Sequence, residues 1–177
     1  MNTLKIMTLN VNGLRDAHKK LRVQNYIKTN EIDIMLLQET HFNQDKWPKE
    51  NNIWNGKSNR SGGTGIISTE KVTYNSTSKD IEGNYIISNI KTKNLKITIV
   101  NVYGPDRPNQ RKEFYNKLYQ QLLKFPKEKH IIMAGDFNMV ETPEKDRTGG
   151  RTSDEHIRGR GELRKIMKEL DLTDLAI

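Results

Sequence analysis

The sequence predicts an α/β layered fold, and two observations carry that expectation. Short apolar runs that read as strands alternate along the chain with longer segments of helical period, and such elements bury their apolar faces by stacking in layers. Three short polar motifs each close one of the strand-like runs: Leu-Asn-Val-Asn-Gly (Leu9 to Gly13), Leu-Gln-Glu-Thr-His (Leu37 to His41) and Gly-Asp-Phe-Asn (Gly135 to Asn138). The chain has 177 residues, enough for one domain with a real core. No internal repeat and no linker divides it, so 1–177 is expected to form one domain.

Each element has its own warrant. Leu4 to Leu9 is a short apolar strand. Asp16 is a natural cap for a helix through about Thr29, with Leu21, Val23, Tyr26 and Ile27 offered as its inward face. Ile32 to Leu37 is almost unbroken in apolar residues, as a strand buried on both faces is. Residues 42–61 are polar and rich in Asn, which reads as loop. Gly63 to Ser68 opens a strand, with weaker candidates at Val72 to Ser76 and Tyr85 to Ile90. Leu95 to Val102 alternates well. Asn109 is the expected cap of a helix to about Lys124, on which Phe114, Leu118 and Leu122 recur at helical spacing. Ile131 to Ala134 is a buried strand. Glu141 to Gly161 is charged and Gly-containing, a long loop, and Leu163, Ile166, Met167 and Leu170 mark a last helix.

Composition narrows the partners. Lys and Arg number 30 against 22 Asp and Glu, a formal charge of +8, which favours an anionic partner such as nucleic acid. Cysteine is absent, which excludes disulfides and thiolate–zinc sites and fits a reducing compartment. No run approaches the roughly 18 apolar residues of a membrane span. Met1 to Leu9 lacks a secretory pattern. The expectation is an intracellular protein without a membrane partner.

The three motifs suggest phosphodiester chemistry. Hydrolysing a phosphodiester needs a divalent cation to neutralise charge, an activated water and a stabilised leaving oxygen. Magnesium prefers oxygen and keeps most of its waters, so one or two carboxylates suffice to hold it. Glu39, just past a buried strand, is a ligand candidate, and Asn10 could orient it or touch the metal's water. Asp136 could accept a proton from the attacking water or position it, and Asn138 could donate hydrogen bonds to the phosphate. Singly, each has a plain reading as a turn or surface residue. Together, in order and each after a strand, they lie where open α/β sheets place ligands.

The chain resembles the exonuclease/endonuclease/phosphatase superfamily, and more closely the endonuclease domain of non-LTR retrotransposons of the long interspersed type. The residues that carry this are Thr-Leu-Asn-Val-Asn-Gly-Leu (8–14), Leu-Leu-Gln-Glu-Thr-His (36–41), Asn-Val-Tyr-Gly-Pro (101–105) and Ala-Gly-Asp-Phe-Asn (134–138). The resemblance implies two packed mixed β-sheets flanked by helices. It implies a Mg2+ site, with Mn2+ as the alternative, at Asn10 and Glu39. It places Tyr103 near the scissile phosphate, Asp136 on the water and Asn138 on the phosphate or transition state. The implied activity is nicking of one DNA strand, whose 3′-hydroxyl primes reverse transcription, with a reverse transcriptase domain in the same parent polyprotein and the nucleus as the place of action.

One part of the family pattern is missing. Two further strands normally follow, one with Ser-x-Ile-Asp and one with Ser-Asp-His. The domain is therefore expected to be incomplete at its C-terminus, with open sheet edges and impaired catalysis, since a general acid–base group is typically worth about two to four orders of magnitude in rate. Ser153-Asp154-Glu155-His156 matches the lost motif only by letters and lies in the charged loop. Ser61 to Gly65 lacks the Lys-Ser/Thr of a P-loop and reads as a glycine-rich lead into a strand. Trp47 and Trp54 are expected to pack on the core. Arg147, Arg151, Arg158, Arg160 and Arg164 are either a solvated face or a DNA backbone contact. The rival functions are an abasic-site repair endonuclease and a catalytically silent DNA-binding remnant.

Overall fold

Side-chain alternation decides which layer each strand lines. The computed structural model describes residues 3–41, 51–56, 61–139 and 158–175. The chain divides into two compact units, Met1–Tyr103 with Lys127–Asp136, and Gly104–Pro126 with Phe137–Ile177.

The first unit contains β1 (Ile6–Asn10), α1 (Ala17–Thr29), β2 (Ile34–Gln38), β3 (Asn52–Asn55), β4 (Thr64–Ser68), β5 (Thr73–Lys79), β6 (Tyr85–Lys91), β7 (Lys96–Tyr103) and β8 (His130–Asp136). They form two four-stranded sheets, ordered β1-β2-β4-β3 and β5-β6-β7-β8. Each sheet is mixed: β1 runs parallel to β2 and β7 parallel to β8, while the other pairings are antiparallel.

β2 is buried at every position. Met35 and Leu37 face one way, into a cluster with Val11, Leu14, Val23 and Trp54. Ile34 and Leu36 face the other way, where Ile66, Ile86, Ile90, Ile97 and Ile99 meet them. The second cluster is the layer between the two sheets. Burying each such side chain is worth roughly 1.5–3 kcal/mol, so the sandwich is held chiefly by this layer.

Helix α1 covers the first sheet with a narrower stripe than the sequence suggests. Asp16 caps it as expected, its Oδ1 accepting from the Lys19 N–H at 2.7 Å. Val23 is buried, but Leu21 and Tyr26 are 53% and 46% exposed. Leu21 lies about 200° around the helix from Val23, so both cannot face the sheet. Within the segment read as loop, 42–61, the structure has β3. Its Trp54 is buried opposite Gly65, and a Cβ at Gly65 would run into the indole ring. The polar neighbours of Ile53 and Trp54 hide this strand from a hydropathy reading. Trp54 packs on the core as expected, and Trp47 lies outside the described residues. The glycine-rich lead at 61–65 does enter β4. Among the described residues β1 and β8 each pair with one strand only, and Leu9 and Ile132 on them are 37% and 36% exposed.

The second unit contains α2 (Pro108–Lys124) and α3 (Arg160–Glu169). The cap of α2 is Arg107 rather than Asn109, because Pro108 at the first helical position has no N–H to lose and a φ already suited to a helix. Phe114, Leu118 and Leu122 are buried as their spacing predicts. α3 starts at Arg160 and buries Leu163 and Ile166. It packs on α2, with the Lys165 ammonium 4.5 Å from the Tyr119 ring centre. The Ser153–His156 segment, Arg147 and Arg151 lie outside the described residues. No described helix is long and apolar enough to cross a membrane.

Candidate active site

Parallel pairing brings the strand ends together. In the first sheet Asn10 is level with Gln38, so Glu39 follows directly beside Asn10. In the second sheet Tyr103 is level with Asp136. These four candidate residues belong to the first unit.

Three of them are joined by one carboxamide. Asn10 Nδ2 donates to Glu39 Oε1 and to Asp136 Oδ2, each at 2.8 Å. Asn10 Oδ1 accepts from the Asn12 backbone N–H at 3.0 Å. A backbone N–H can only donate, so the oxygen must face Asn12 and the nitrogen must face the two carboxylates. Both donor protons of Asn10 are therefore committed to acids that stand 29 and 126 residues away in sequence. A carboxamide between two carboxylates relieves repulsion that would otherwise push them apart.

The local backbone is unusual. Asn12, Glu39 and His41 have φ of 41°, 51° and 47°, the left-handed region that side-chain-bearing residues rarely occupy. Such conformations cost about 1–3 kcal/mol each and cluster at functional sites. At Glu39 the turn takes the side chain out of the strand's alternation. Gly135 has φ 147°, and a Cβ there would strike the Val102 carbonyl, so only glycine lets β8 approach β7 this closely before Asp136.

His41 is a further neighbour of Glu39. Its Nε2 stands 3.6 Å from Glu39 Oε2, with both side chains largely covered. That is ion-pair range when the ring is protonated, and long for a hydrogen bond. Tyr103 sits on the ladder beside Asp136, and its backbone N–H donates to the Asn84 carbonyl at 2.6 Å. Asn138 comes two residues after Asp136, in the second unit, with φ 50°. Its Nδ2 donates to the Gly104 carbonyl at 2.8 Å. Asn10 thus hydrogen bonds to both Glu39 and Asp136, while Tyr103 and Asn138 are positioned by their own neighbours.

The donor set fits a hard, water-rich cation. No group of three or more His, Cys, Asp or Glu suited to a metal occurs among the described residues. Two partly exposed carboxylates beside an exposed carboxamide suit magnesium or manganese, which keep several waters and need few protein oxygens.

Two residues under the site had no role in the sequence reading. Gln38 and Asn101 are 1% and 0% exposed and hydrogen bond to each other at 2.7 Å. Their signal in the sequence was a carboxamide inside an otherwise apolar strand.

The sequence profile of the Endonuclease/Exonuclease/phosphatase family matches residues 7–161. The Transposon TX1 uncharacterized 149 kDa protein of Xenopus laevis is 23% identical over 97% of this chain, which spans 14% of that protein's length. The structure of an AP endonuclease from Archaeoglobus fulgidus superimposes with a TM-score of 0.71 at 21% identity, over 94% of this chain and 71% of that one. The endonuclease domain of TRAS1, a telomere-specific non-LTR retrotransposon, gives 0.66 at 17% identity, over 99% of this chain and 74% of that one. At these identities the solved structures show a shared fold.

Proposed function

This chain belongs to the Endonuclease/Exonuclease/phosphatase family, and from that premise we propose that it is a magnesium-dependent DNA endonuclease domain of a retroelement. The observation that carries the reading is the Asn10 carboxamide held between Glu39 and Asp136. Likeness to a transposon protein and to a retrotransposon endonuclease domain favours strand nicking over other phosphoester chemistry. On this reading a reverse transcriptase in the same parent polyprotein extends the nick, and the work is done in the nucleus.

Glu39, oriented by Asn10, would hold Mg2+ or Mn2+, which would neutralise phosphate charge and polarise the phosphorus centre. Asp136 takes a proton from the attacking water as its oxygen bonds to phosphorus. The P–O3′ bond breaks, leaving a 5′-phosphate and a 3′-hydroxyl whose proton comes from solvent. Asn10 keeps the two carboxylates at working distance while Asp136 takes up the proton. Tyr103 stands beside the phosphate, and Asn138 donates to one of its non-bridging oxygens.

The test is nicking of supercoiled plasmid by the 177-residue chain, with magnesium and with chelator, beside a Glu39→Ala/Asp136→Ala variant. Metal-dependent nicking by the parent, weak as the sequence leads one to expect and lost in the variant, is the outcome that supports this reading. A folded parent that binds plasmid without nicking it would replace this reading with a silent DNA-binding domain. Cleavage confined to a duplex carrying one abasic site would replace it with a repair endonuclease.

A further inference from the structure

The alternation that builds the layer between the sheets ends in polar residues. Along β2, Ile34 and Leu36 lie in that layer, and Gln38 is next in the series. Along β7, Ile97 and Ile99 lie in it, and Asn101 is next. Leu4, just before β1, and Ile6 on it pack against that layer, followed by Thr8. One further step reaches Asn10 on β1 and Tyr103 on β7, and the step after Ala134 on β8 is Asp136. Thr8, Gln38 and Asn101 are therefore the layer immediately beneath the site.

These three side chains form a network without a vacancy. Gln38 Nε2 donates to Asn101 Oδ1 at 2.7 Å and to Thr8 Oγ1 at 3.0 Å. Thr8 Oγ1 stands 3.2 Å from Gln38 Oε1. Asn101 Nδ2 donates to the Leu37 carbonyl at 3.0 Å and the Gly65 carbonyl at 2.8 Å. A residue of the second sheet thus binds side chain and backbone of two strands of the first. An apolar pair here would bury as well, and would tolerate sliding. Carboxamides do not, because a displaced one leaves several buried polar groups without partners.

We propose that Gln38 and Asn101 are positioning residues: an inter-sheet polar clamp that fixes the register of the two sheets so that Asn10 can reach both Glu39 and Asp136. The clamp rests on the reading of that trio as the active site, but its geometry can be tested without metal or DNA. In the metal-free protein the Asn10 side-chain amide protons, each bonded to a carboxylate, are expected to have distinct NMR shifts and to exchange more slowly than those of a free carboxamide. In Gln38→Met/Asn101→Leu the apolar surfaces replace both partners of the central bond, a change that leaves the fewest orphaned groups. The expected result is a folded protein in which Asn10 amide protection falls about tenfold, and in which Mn2+ affinity, read by calorimetry, weakens at least severalfold. Thr8→Val, at an exposed position, removes only the outer anchor and is expected to give a smaller loss of the same kind.

A folded double variant with Asn10 protection as in the parent overturns the clamp, whatever its activity. If the double variant does not fold, the Thr8→Val result decides: unchanged Asn10 protection and unchanged Mn2+ affinity overturn it. A lower melting temperature with both readouts intact marks Gln38 and Asn101 as packing only, and also overturns it. Failure of the nuclease reading looks different, namely slow Asn10 exchange that depends on Gln38 and Asn101 in a protein that neither binds Mn2+ nor nicks plasmid.

Discussion

Asn10 can hold two acids only because its oxygen is already engaged by the Asn12 N–H. Asn10→Ala removes both donor bonds at an exposed position, leaving Glu39 and Asp136 to repel each other. Removing one positioned donor from an active site typically costs about 10²–10³ in rate. The Asn10→Ala variant is expected to nick plasmid at least about a hundredfold more slowly while melting within a few degrees of the parent, which single-turnover assays beside thermal scans would check. Tyr74 gives a prediction about stability alone. Burial, offset in part by its hydrogen bond to Ser68 at 2.8 Å, pushes its phenol up to about 12 from an ordinary value of 10.0. Below pH 10 the phenol is neutral folded and unfolded. Between the two values the unfolded chain ionises first, so stability present below pH 10 is lost as pH rises toward 12. Relative to Tyr74→Phe, the parent should lose about 2–3 kcal/mol across that window in denaturant titrations. A parallel pH profile for the two proteins would contradict the burial argument.

The elements show which signals a sequence carries. β2 was plain because a run buried on both faces has to be apolar at nearly every position, and β7 because its residues alternate. The cap at Asp16 was plain too, since a short acceptor before a periodic segment has one obvious use. β3 was hidden because its two buried residues are Trp54 and a polar Asn55, and Trp54 meets a glycine on another strand rather than a visible pattern. The buried face of α1 is narrower than its apolar residues suggest, Leu21 lying across the helix from Val23 and Tyr26 reaching solvent. That difference is measurable: Val23→Ala should cost about 1–3 kcal/mol, while Leu21→Ala and Tyr26→Ala should each stay within about 0.5 kcal/mol. Comparable losses at Val23 and Leu21 in urea titrations would restore the wider face. Of the site, Asn10, Glu39 and Asp136 were legible because each closes a strand with a polar motif. Gln38 and Asn101 were printed in the same motifs, yet a buried hydrogen bond between sheets depends on which strands face each other, and that is a property of topology.

At the scale of the whole molecule, the +8 charge and the site make separable claims about DNA. Phosphate contacts by Lys and Arg release condensed counterions, so log K should fall with log salt at a slope of about −0.9 per contact. That term is independent of the carboxylates. Glu39→Ala/Asp136→Ala should therefore abolish nicking and keep the salt slope of plasmid binding, or bind slightly tighter as two negative charges leave the phosphate's path. Charge reversal at exposed Arg22 or Lys28 of α1 would report on the other claim: if either contacts the duplex, the slope shrinks by about one, and nicking at low salt persists. Gel-shift titrations between 50 and 200 mM salt span a range over which six or more contacts would change affinity by about 10³-fold or more. A slope near zero in a protein that still nicks would mean that the basic charge is spread over surfaces the duplex never meets, and that recognition is confined to the few groups around the scissile phosphate.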